Sequence, residues 1–219
     1  MSVKQQKDTS ANVALVAYNF ISCALWSIHL GKTVVFLCTE SLSNIKLFYS
    51  ETQGFLTFTQ VLAVIEIFNA LFKIVRSPVL TTAAQVFSRL LIVVGAFQLM
   101  PVIGESIGTE YLTLSLAWGF TEVVRYAFYG LNLLKIKNKA VIFLRYNMFP
   151  ILYPLGVTSE LIILFKTMVL ANNNIVKIIY IISMLAYIPG FPILFSYMWV
   201  QRKKAMKELS SNNRTKKST

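Results

Sequence analysis

Residues 141–170 read VIFLRYNMFPILYPLGVTSELIILFKTMVL, a run of thirty residues that only three charged side chains interrupt. Because a membrane-spanning helix needs about 20 predominantly apolar residues, this run is long enough to cross a bilayer. It also contains Pro150 and Pro154, and prolines are a common cause of helix kinks. The segment therefore predicts a transmembrane helix that is kinked or that begins at the membrane interface.

The rest of the chain has the same character. Of its 219 residues, 56% are hydrophobic and 14% are charged, against about 25% charged in a soluble domain. A soluble domain of this size has too much surface to hide so many apolar residues, and backbone in lipid must form helices. We expect an all-α integral membrane protein with a six-helix membrane domain at residues 11–200, between a polar segment at 1–10 and a basic tail at 201–219. The other five predicted spans are residues 11–30, 55–75, 83–103, 111–134 and 175–200.

The basic residues predict the orientation in the membrane. The chain has 21 Lys and Arg against 9 Asp and Glu, and with six spans fourteen of these cations flank one side and three flank the other. The positive-inside rule then places both termini in the cytosol. Because the cations lie between apolar runs and not on one face of a polar domain, we expect a lipid environment and no nucleic acid partner. The fourteen are Lys4, Lys7, Lys73, Arg76, Lys135, Lys137, Lys139, Arg202, Lys203, Lys204, Lys207, Arg214, Lys216 and Lys217, and the three are Lys32, Lys46 and Lys177.

The chain ends in Lys216-Lys217-Ser218-Thr219. Two lysines at the third and fourth positions from a cytosolic C-terminus resemble the dilysine retrieval signal of endoplasmic reticulum membrane proteins. The alternative is a solvated basic tail, which a two-residue motif does not distinguish. With the predicted cytosolic tail, we expect a multi-pass protein of the endoplasmic reticulum membrane.

Ionisable residues within the predicted spans are the first candidates for a functional site. Each costs a few kcal/mol to insert into lipid, so each has either a functional or a structural partner. Glu122 and Arg125 are three residues apart and can neutralise each other, and Glu66 is a second candidate for a structural ion pair. Together these residues predict a polar cavity in the bundle. They are Glu66, Arg89, Glu122, Arg125, Arg145 and Glu160.

Tyr153 and Glu160 form the most specific pair. Seven residues of helix complete two turns to within about 20°, so both side chains lie on one face with α-carbons about 10.5 Å apart. An apolar bundle disfavours the charged carboxylate, which suits a base working near neutral pH, and a phenol can donate a proton. The structural alternative makes Tyr153 an interior filler and Glu160 the partner of another buried group.

The chain carries few residues for redox or metal chemistry. Its two cysteines, Cys23 and Cys38, match no zinc spacing, and it has a single His. We expect no metal and no redox cofactor.

Four blocks of sequence resemble the very-long-chain (3R)-3-hydroxyacyl-CoA dehydratases, also called protein tyrosine phosphatase-like membrane proteins, and the fungal branch in particular. The resemblance covers residues 18–204. The blocks are Arg76-Ser77-Pro78 through Arg89, Trp118 with Thr121-Glu122-Val123-Val124-Arg125-Tyr126, Arg145-Tyr146-Asn147 through Leu161, and Tyr187-Ile188-Pro189-Gly190-Phe191-Pro192.

The resemblance implies an enzyme that acts in the third step of fatty-acid elongation. Such an enzyme removes water from a (3R)-3-hydroxyacyl-CoA to give the trans-2-enoyl-CoA, without a cofactor. The family's catalytic tyrosine and glutamate fall on Tyr153 and Glu160. It also implies partners among the membrane enzymes of the cycle: the condensing enzyme, the ketoacyl reductase and the enoyl reductase. A phosphatase activity is not supported, because neither cysteine begins a Cys-x5-Arg loop.

The chemistry of the reaction assigns provisional roles. One group must take the C2 proton and another must assist the C3 hydroxyl as it leaves. We assign Glu160 as the base and Tyr153 as the donor, and the reverse assignment stays open. Gly156 leaves room for substrate. The arginines at positions 89, 125 and 145 are expected to bind the CoA phosphates or to orient the acid and the base. A small transporter or a scaffold is the alternative function, although no inverted repeat is visible.

The orientation can be tested in cells at Asn213-Arg214-Thr215, which is the only Asn-x-Ser/Thr sequence in the chain. Glycosylation requires lumenal exposure, and the tail is predicted to be cytosolic, so Asn213 should carry no glycan. Glycosidase treatment of the protein from eukaryotic membranes should leave its gel mobility unchanged. A glycan on native Asn213 would overturn the predicted orientation.

Overall fold

The structure is a computed structural model that describes the backbone of residues 3–75 and 77–215 and the side chains of residues 13–75 and 77–210. All regular structure in these ranges is helical, which confirms the all-α prediction for them. Arg76 and the predicted retrieval lysines Lys216 and Lys217 lie outside the described residues. The helices are α1 (Val3–Thr39), α2 (Ile45–Val61), α3 (Val64–Leu71), α4 (Val79–Leu90), α5 (Ile103–Ser106), α6 (Thr109–Leu133), α7 (Lys139–Asn147), α8 (Phe149–Leu170) and α9 (Asn174–Thr215).

In the part of the chain that the structure describes, five helical stretches are long and apolar enough to cross a membrane, so the protein is a multi-pass membrane protein. Their outer surfaces are apolar: Leu80 is 84% exposed and Ile188 is 70% exposed. Exposed apolar surface on this scale requires lipid or another protein as its surroundings. The five stretches are Val13–Thr39, Leu42–Leu71, Val79–Ala96, Phe149–Leu170 and Asn174–Ser210.

Helix α6 is the centre of the bundle although it is not among those five. Its 25 residues are long enough to span, but Glu122, Arg125 and several hydroxyl-bearing side chains make it less apolar. It packs most extensively against α1 and α8, and it also touches α2 and α7. A helix that other helices surround can carry charge on its inner face, which explains both its composition and its place.

The first half of the chain departs from the predicted spans at their ends. Helix α1 continues to Thr39, so the first connection is reduced to a short turn that includes a 3-10 segment at Leu42–Asn44. The second predicted span is a pair of helices, α2 and α3, joined by a turn at residues 62–63. Helix α4 begins earlier than predicted and continues as a π-helical segment, Leu91–Ala96.

The predicted span at 141–170 is two helices that meet at Met148. Pro150 occupies the first turn of α8, where its missing N–H costs nothing, so the break falls just before it. At the C-terminal side, α9 is continuous through Pro189, Pro192 and the predicted tail boundary at residue 201. The basic tail is thus helical to Thr215.

An ion pair fixes α8 against the start of α6. Lys166 Nζ on α8 lies 2.7 Å from Glu110 Oε1 on α6, and it donates to the backbone carbonyl of Ser106 at 2.7 Å. The same carboxylate oxygen accepts from the backbone N–H of Gly108 at 2.8 Å. This contact sets the position of α8 along α6, and therefore which residues of the two helices face each other.

Two glycines of α6 permit the close approach of α1. A Cβ at Gly119 would lie 3.1 Å from the Leu30 Cβ and 3.5 Å from its α-carbon, and a Cβ at Gly130 would lie 3.1 Å from the Phe20 ring. Contacts this short to atoms near the backbone cannot be relieved by a rotamer change alone.

We expect Gly119→Ala to destabilise the protein by about 1–3 kcal/mol, because α1 and α6 must move apart. Gly54→Ala is the matched control: a Cβ at Gly54, in the middle of α2, would meet nothing within 4 Å. Thermal unfolding in detergent should show a lower midpoint for the first variant and an equal or higher midpoint for the second. Equal midpoints for the two variants would contradict the close packing of α1 on α6.

Candidate active site

Glu160 lies at the meeting point of three helices. It belongs to α8 and is 8% exposed. Its Oε1 accepts a hydrogen bond from the indole Nε1 of Trp118 on α6 at 2.7 Å, and its Oε2 accepts one from the hydroxyl of Tyr187 on α9 at 2.5 Å. No Lys or Arg described by the structure forms an ion pair with it. Two donors therefore hold the carboxylate, and each oxygen keeps a further lone pair.

Tyr153 lies two turns earlier on α8 and is partly exposed. Its ring stacks on that of Phe191 of α9, with centroids 5.0 Å apart and planes 5° apart, and a second ring, Phe195, lies 6.4 Å away. The stack fixes the ring, whereas no hydrogen bond joins the Tyr153 hydroxyl to the described part of the chain. The hydroxyl is thus available to a substrate.

Gly156 is buried between these two residues in sequence and faces α6. A Cβ there would lie 3.6 Å from the Ala117 Cβ, 3.9 Å from Trp118 Cδ1 and 4.0 Å from Glu160 Oε1. These are ordinary van der Waals distances, so the glycine is not required by packing. It leaves the space beside the carboxylate open.

A network of four charges lies across the bundle from α3 to α4. Arg125 of α6 forms two hydrogen bonds to Glu66, at 2.9 and 2.8 Å, and its Nε donates to Glu122 at 2.6 Å. Glu122 is also the ion-pair partner of Arg89. The order Glu66, Arg125, Glu122, Arg89 alternates in sign, so the network has no net charge. Both candidates for structural ion pairs, Glu66 and Glu122, lie in it.

The phenols of Tyr18 and Tyr126 complete the environment of Glu66. The Tyr126 hydroxyl donates to Glu66 Oε1 at 2.5 Å, and the Tyr18 hydroxyl donates to the same oxygen at 3.4 Å. The Tyr126 ring also lies 4.2 Å from the Arg125 guanidinium carbon. This end of the network is therefore fully bonded within the chain.

Arg89 connects the charge network to Glu160. Its guanidinium carbon lies 5.1 Å from the centroid of the Trp118 ring, the same ring whose N–H bonds Glu160. The α6 residues Trp118, Glu122 and Arg125 follow one another at spacings of four and three, which places them on one face of the helix. This face of α6 holds the network and the carboxylate in one arrangement.

Arg145 lies apart from the network. Its guanidinium carbon is 4.5 Å from the Phe128 ring and 4.7 Å from the Tyr129 ring, and it donates a hydrogen bond to the Tyr129 hydroxyl at 3.0 Å. Among the described side chains it has no carboxylate partner. The structure thus brings Glu66, Arg89, Glu122 and Arg125 together, and leaves Arg145 of α7 with the neutral side chains of Phe128 and Tyr129 on α6.

Two residues of this site were not predicted as functional from sequence. Trp118 and Tyr187 were noted only within the family blocks, without a role. The sequence could have indicated Trp118 as a residue of this site, because it lies one turn before Glu122 on the same face of α6. No such indication existed for Tyr187, since its distance from Glu160 depends on how α9 packs on α8.

The arrangement is suited to proton transfer. A buried carboxylate held by two donors lies on the same helix as a phenol whose hydroxyl has no hydrogen-bond partner among the described residues. Among the described residues there is no group of three or more His, Cys, Asp or Glu that could hold a metal ion.

Comparison with known proteins identifies similar sequences over most of the chain. The family model described as "Protein tyrosine phosphatase-like protein, PTPLA" matches residues 60–208. The very-long-chain (3R)-3-hydroxyacyl-CoA dehydratase hpo-8 of Caenorhabditis elegans is 39% identical over 213 residues, which is 90% of this chain and 96% of that protein. No solved structure matches significantly.

Two further relatives have similar names. The probable very-long-chain (3R)-3-hydroxyacyl-CoA dehydratase of Schizosaccharomyces pombe is 36% identical over 90% of this chain and 94% of its own length. The dehydratase PASTICCINO 2 of Arabidopsis thaliana is 31% identical over 89% of this chain and 93% of its own. The fungal-type expectation stays a prediction, since the nematode and fission-yeast sequences are about equally similar.

The charge network predicts unequal effects of removing its two acids. Glu122 lies between two arginines and its side chain is 1% exposed, whereas Glu66 has one arginine and is 19% exposed. Glu122→Gln should therefore destabilise the protein by about 3–5 kcal/mol, and Glu66→Gln by clearly less. The yield of monodisperse protein in detergent and the thermal midpoint measure the difference. A larger loss for Glu66→Gln would show that Glu122 is not the centre of the network.

Proposed function

The chain belongs to the protein tyrosine phosphatase-like (PTPLA) family of very-long-chain (3R)-3-hydroxyacyl-CoA dehydratases, and we propose that Tyr153 and Glu160 carry out its reaction. The protein is a hydro-lyase of the fatty-acid elongation cycle, which converts a (3R)-3-hydroxyacyl-CoA to the trans-2-enoyl-CoA and water. The observation that carries the residue assignment is the environment of Glu160: a buried carboxylate that accepts from two hydrogen-bond donors and forms no ion pair with a described Lys or Arg.

Glu160 is the base in this proposal. A carboxylate that accepts from Trp118 and Tyr187 is held in one orientation, with a lone pair left on each oxygen. The electron pair of the C2–H bond forms the C2–C3 double bond as the proton passes to Glu160. The thioester makes this proton acidic enough for a carboxylate in an apolar site.

Tyr153 assists the leaving group. Its hydroxyl has no partner in the described chain and its ring is fixed by the stack on Phe191, so it can donate to the C3 oxygen without breaking another bond. The C3–O bond breaks and the oxygen leaves as water with the phenol proton. Transfer of the C2 proton from Glu160 back to Tyr153 restores both groups.

We assign the arginines according to their partners. Arg145 has only aromatic and hydroxyl contacts among the described side chains, so its charge is available to the CoA phosphates. Arg89 and Arg125 are bonded to carboxylates, and they support the site by orienting Trp118 and closing the charge network. Gly156 leaves space beside Glu160 Oε1 for the thioester.

The membrane arrangement is part of the proposal. Counting α6 as a span gives six, with both termini on one side, and the distribution of basic residues favours the cytosol for that side. Cytosolic acyl-CoA would then enter near Arg145, with the acyl chain extending among the helices. An endoplasmic reticulum location and contacts with the condensing enzyme and the two reductases follow from the place of the reaction in the elongation cycle.

A transporter or a scaffold is not favoured. The relatives that match over about nine-tenths of the chain are dehydratases. The four charges of the network are bonded to one another, so they do not line a path across the bundle.

Tyr153→Phe and Glu160→Gln should each lower kcat by at least about a hundredfold, the lower range for a general acid or base. Both changes keep the shape of the side chain, and purified protein in detergent should stay monodisperse. Tyr197→Phe is the matched control, because Tyr197 is 61% exposed on α9. Mass spectrometry of enoyl-CoA formed from a 3-hydroxyacyl-CoA measures kcat, and near-normal turnover by either variant refutes the role of that residue.

The division of roles can be tested with a leaving group that needs no proton. A 3-chloroacyl thioester should restore turnover to Tyr153→Phe, because chloride departs without an acid, but it should not restore turnover to Glu160→Gln. The opposite result would reverse the two roles.

A further inference from the structure

One row of residues on α9 leads away from Glu160. On a helix, residues four apart are neighbours, and successive ones form a continuous ridge. Starting from the partner of Glu160, this ridge is first aromatic and then basic. We call these six residues the α9 row: Tyr187, Phe191, Phe195, Trp199, Lys203 and Lys207.

The aromatic part of the row begins at the site. The Tyr187 hydroxyl bonds Glu160, and the Phe191 ring stacks on Tyr153. From there the rings follow one another in stacked pairs, Phe191 to Phe195 at 5.6 Å and Phe195 to Trp199 at 6.3 Å. Trp199 is 39% exposed, so the last ring keeps accessible surface.

The other end of the row is positively charged. Lys203 and Lys207 are exposed, and neither forms an ion pair with a described residue. Beside them, Arg202 donates from Nε to the Asn147 amide oxygen at 3.0 Å, and its guanidinium carbon lies 5.2 Å from the Trp199 ring. These cations have no acid to neutralise them within the described chain, which leaves them for an external anion.

We propose that the α9 row binds the CoA part of the substrate, an inference that rests on the proposed function. The thioester lies at Glu160, the pantetheine arm follows the rings of Phe191 and Phe195, and the adenine packs against the exposed part of the Trp199 ring. The phosphates are bound by Arg202 and by the two lysines of the row, since Arg and Lys are the usual phosphate ligands.

The length of the row supports this occupant. From Tyr187 to Lys203 the helix rises about 24 Å, at 1.5 Å for each of 16 residues, and the row turns about 160° around the helix axis, at about 40° for each step of four residues. A ligand that reaches from the carboxylate to the lysines must be long, narrow and anionic at its far end, as an extended CoA is. Headgroup phosphates of anionic lipid are the other source of the same chemistry, and they would occupy only the basic end.

The test compares three thioesters of one 3-hydroxyacyl group: CoA, 3′-dephospho-CoA and pantetheine. Full-length protein in an uncharged detergent is assayed as wild type and as Lys203→Gln/Lys207→Gln. The double variant should raise KM for the CoA thioester by roughly tenfold, and KM for the pantetheine thioester should not rise. The effect on the dephospho-CoA thioester should be intermediate. Trp199→Leu should raise KM for both nucleotide thioesters and not for the pantetheine thioester.

Lys204→Gln is the matched control, because Lys204 is also exposed but lies about 100° around the helix from Lys203. An equal rise in KM for Lys204→Gln, or equal rises on the CoA and pantetheine thioesters, would overturn the proposal. Binding of wild type and of the double variant to vesicles with and without anionic lipid is measured as well. If the double variant binds anionic vesicles less well but has unchanged KM values, headgroup phosphates are the ligand and the CoA assignment is wrong. Wild type that dehydrates neither the CoA nor the pantetheine thioester would instead refute the proposed function.

Discussion

Charge neutralisation within the bundle is the constraint on which the rest of this structure depends. Lipid offers no solvation to Glu66, Glu122, Arg89 or Arg125, so each must find its partner on another helix or one turn away. The resulting network of ion pairs joins α3, α4 and α6 and has no net charge. Because breaking one buried pair costs several kcal/mol, these helices are held in a single relative position.

That fixed position is what a proton-transfer site requires. Trp118 links the two regions, since one face of its ring receives Arg89 and its N–H holds Glu160. A carboxylate presented this way does not have to reorganise during the reaction, which is the main contribution a protein can make to such chemistry. Tyr153 is fixed differently, by ring stacking alone, and its hydroxyl has no hydrogen-bond partner in the described chain.

The sequence predicts those features of the structure that follow from a general physical rule. Long apolar runs predict helices because lipid permits little else, and helical periodicity places Tyr153 and Glu160 on one face. The ends of the helices are less well predicted: α1 reaches Thr39 and α9 reaches Thr215, because a helix can continue beyond the 20 or so residues that are enough to cross the membrane. The partners of the site could not be predicted, since the contacts of Tyr187 with Glu160 and of Arg125 with Glu66 depend on how separate helices pack.

The continuity of α9 restricts how this chain can change its length. One uninterrupted helix carries both the phenol that touches Glu160 and the lysines some four turns beyond it. Inserting or deleting a single residue between them would rotate one end against the other by about 100°. Tyr187 and Lys203 lie about 160° apart around the helix axis, and the change would alter this angle by about 100°. A change in length between Tyr187 and Lys203 therefore redirects the basic end of α9 relative to Glu160, whereas a change in length within a turn between helices leaves the α9 row intact.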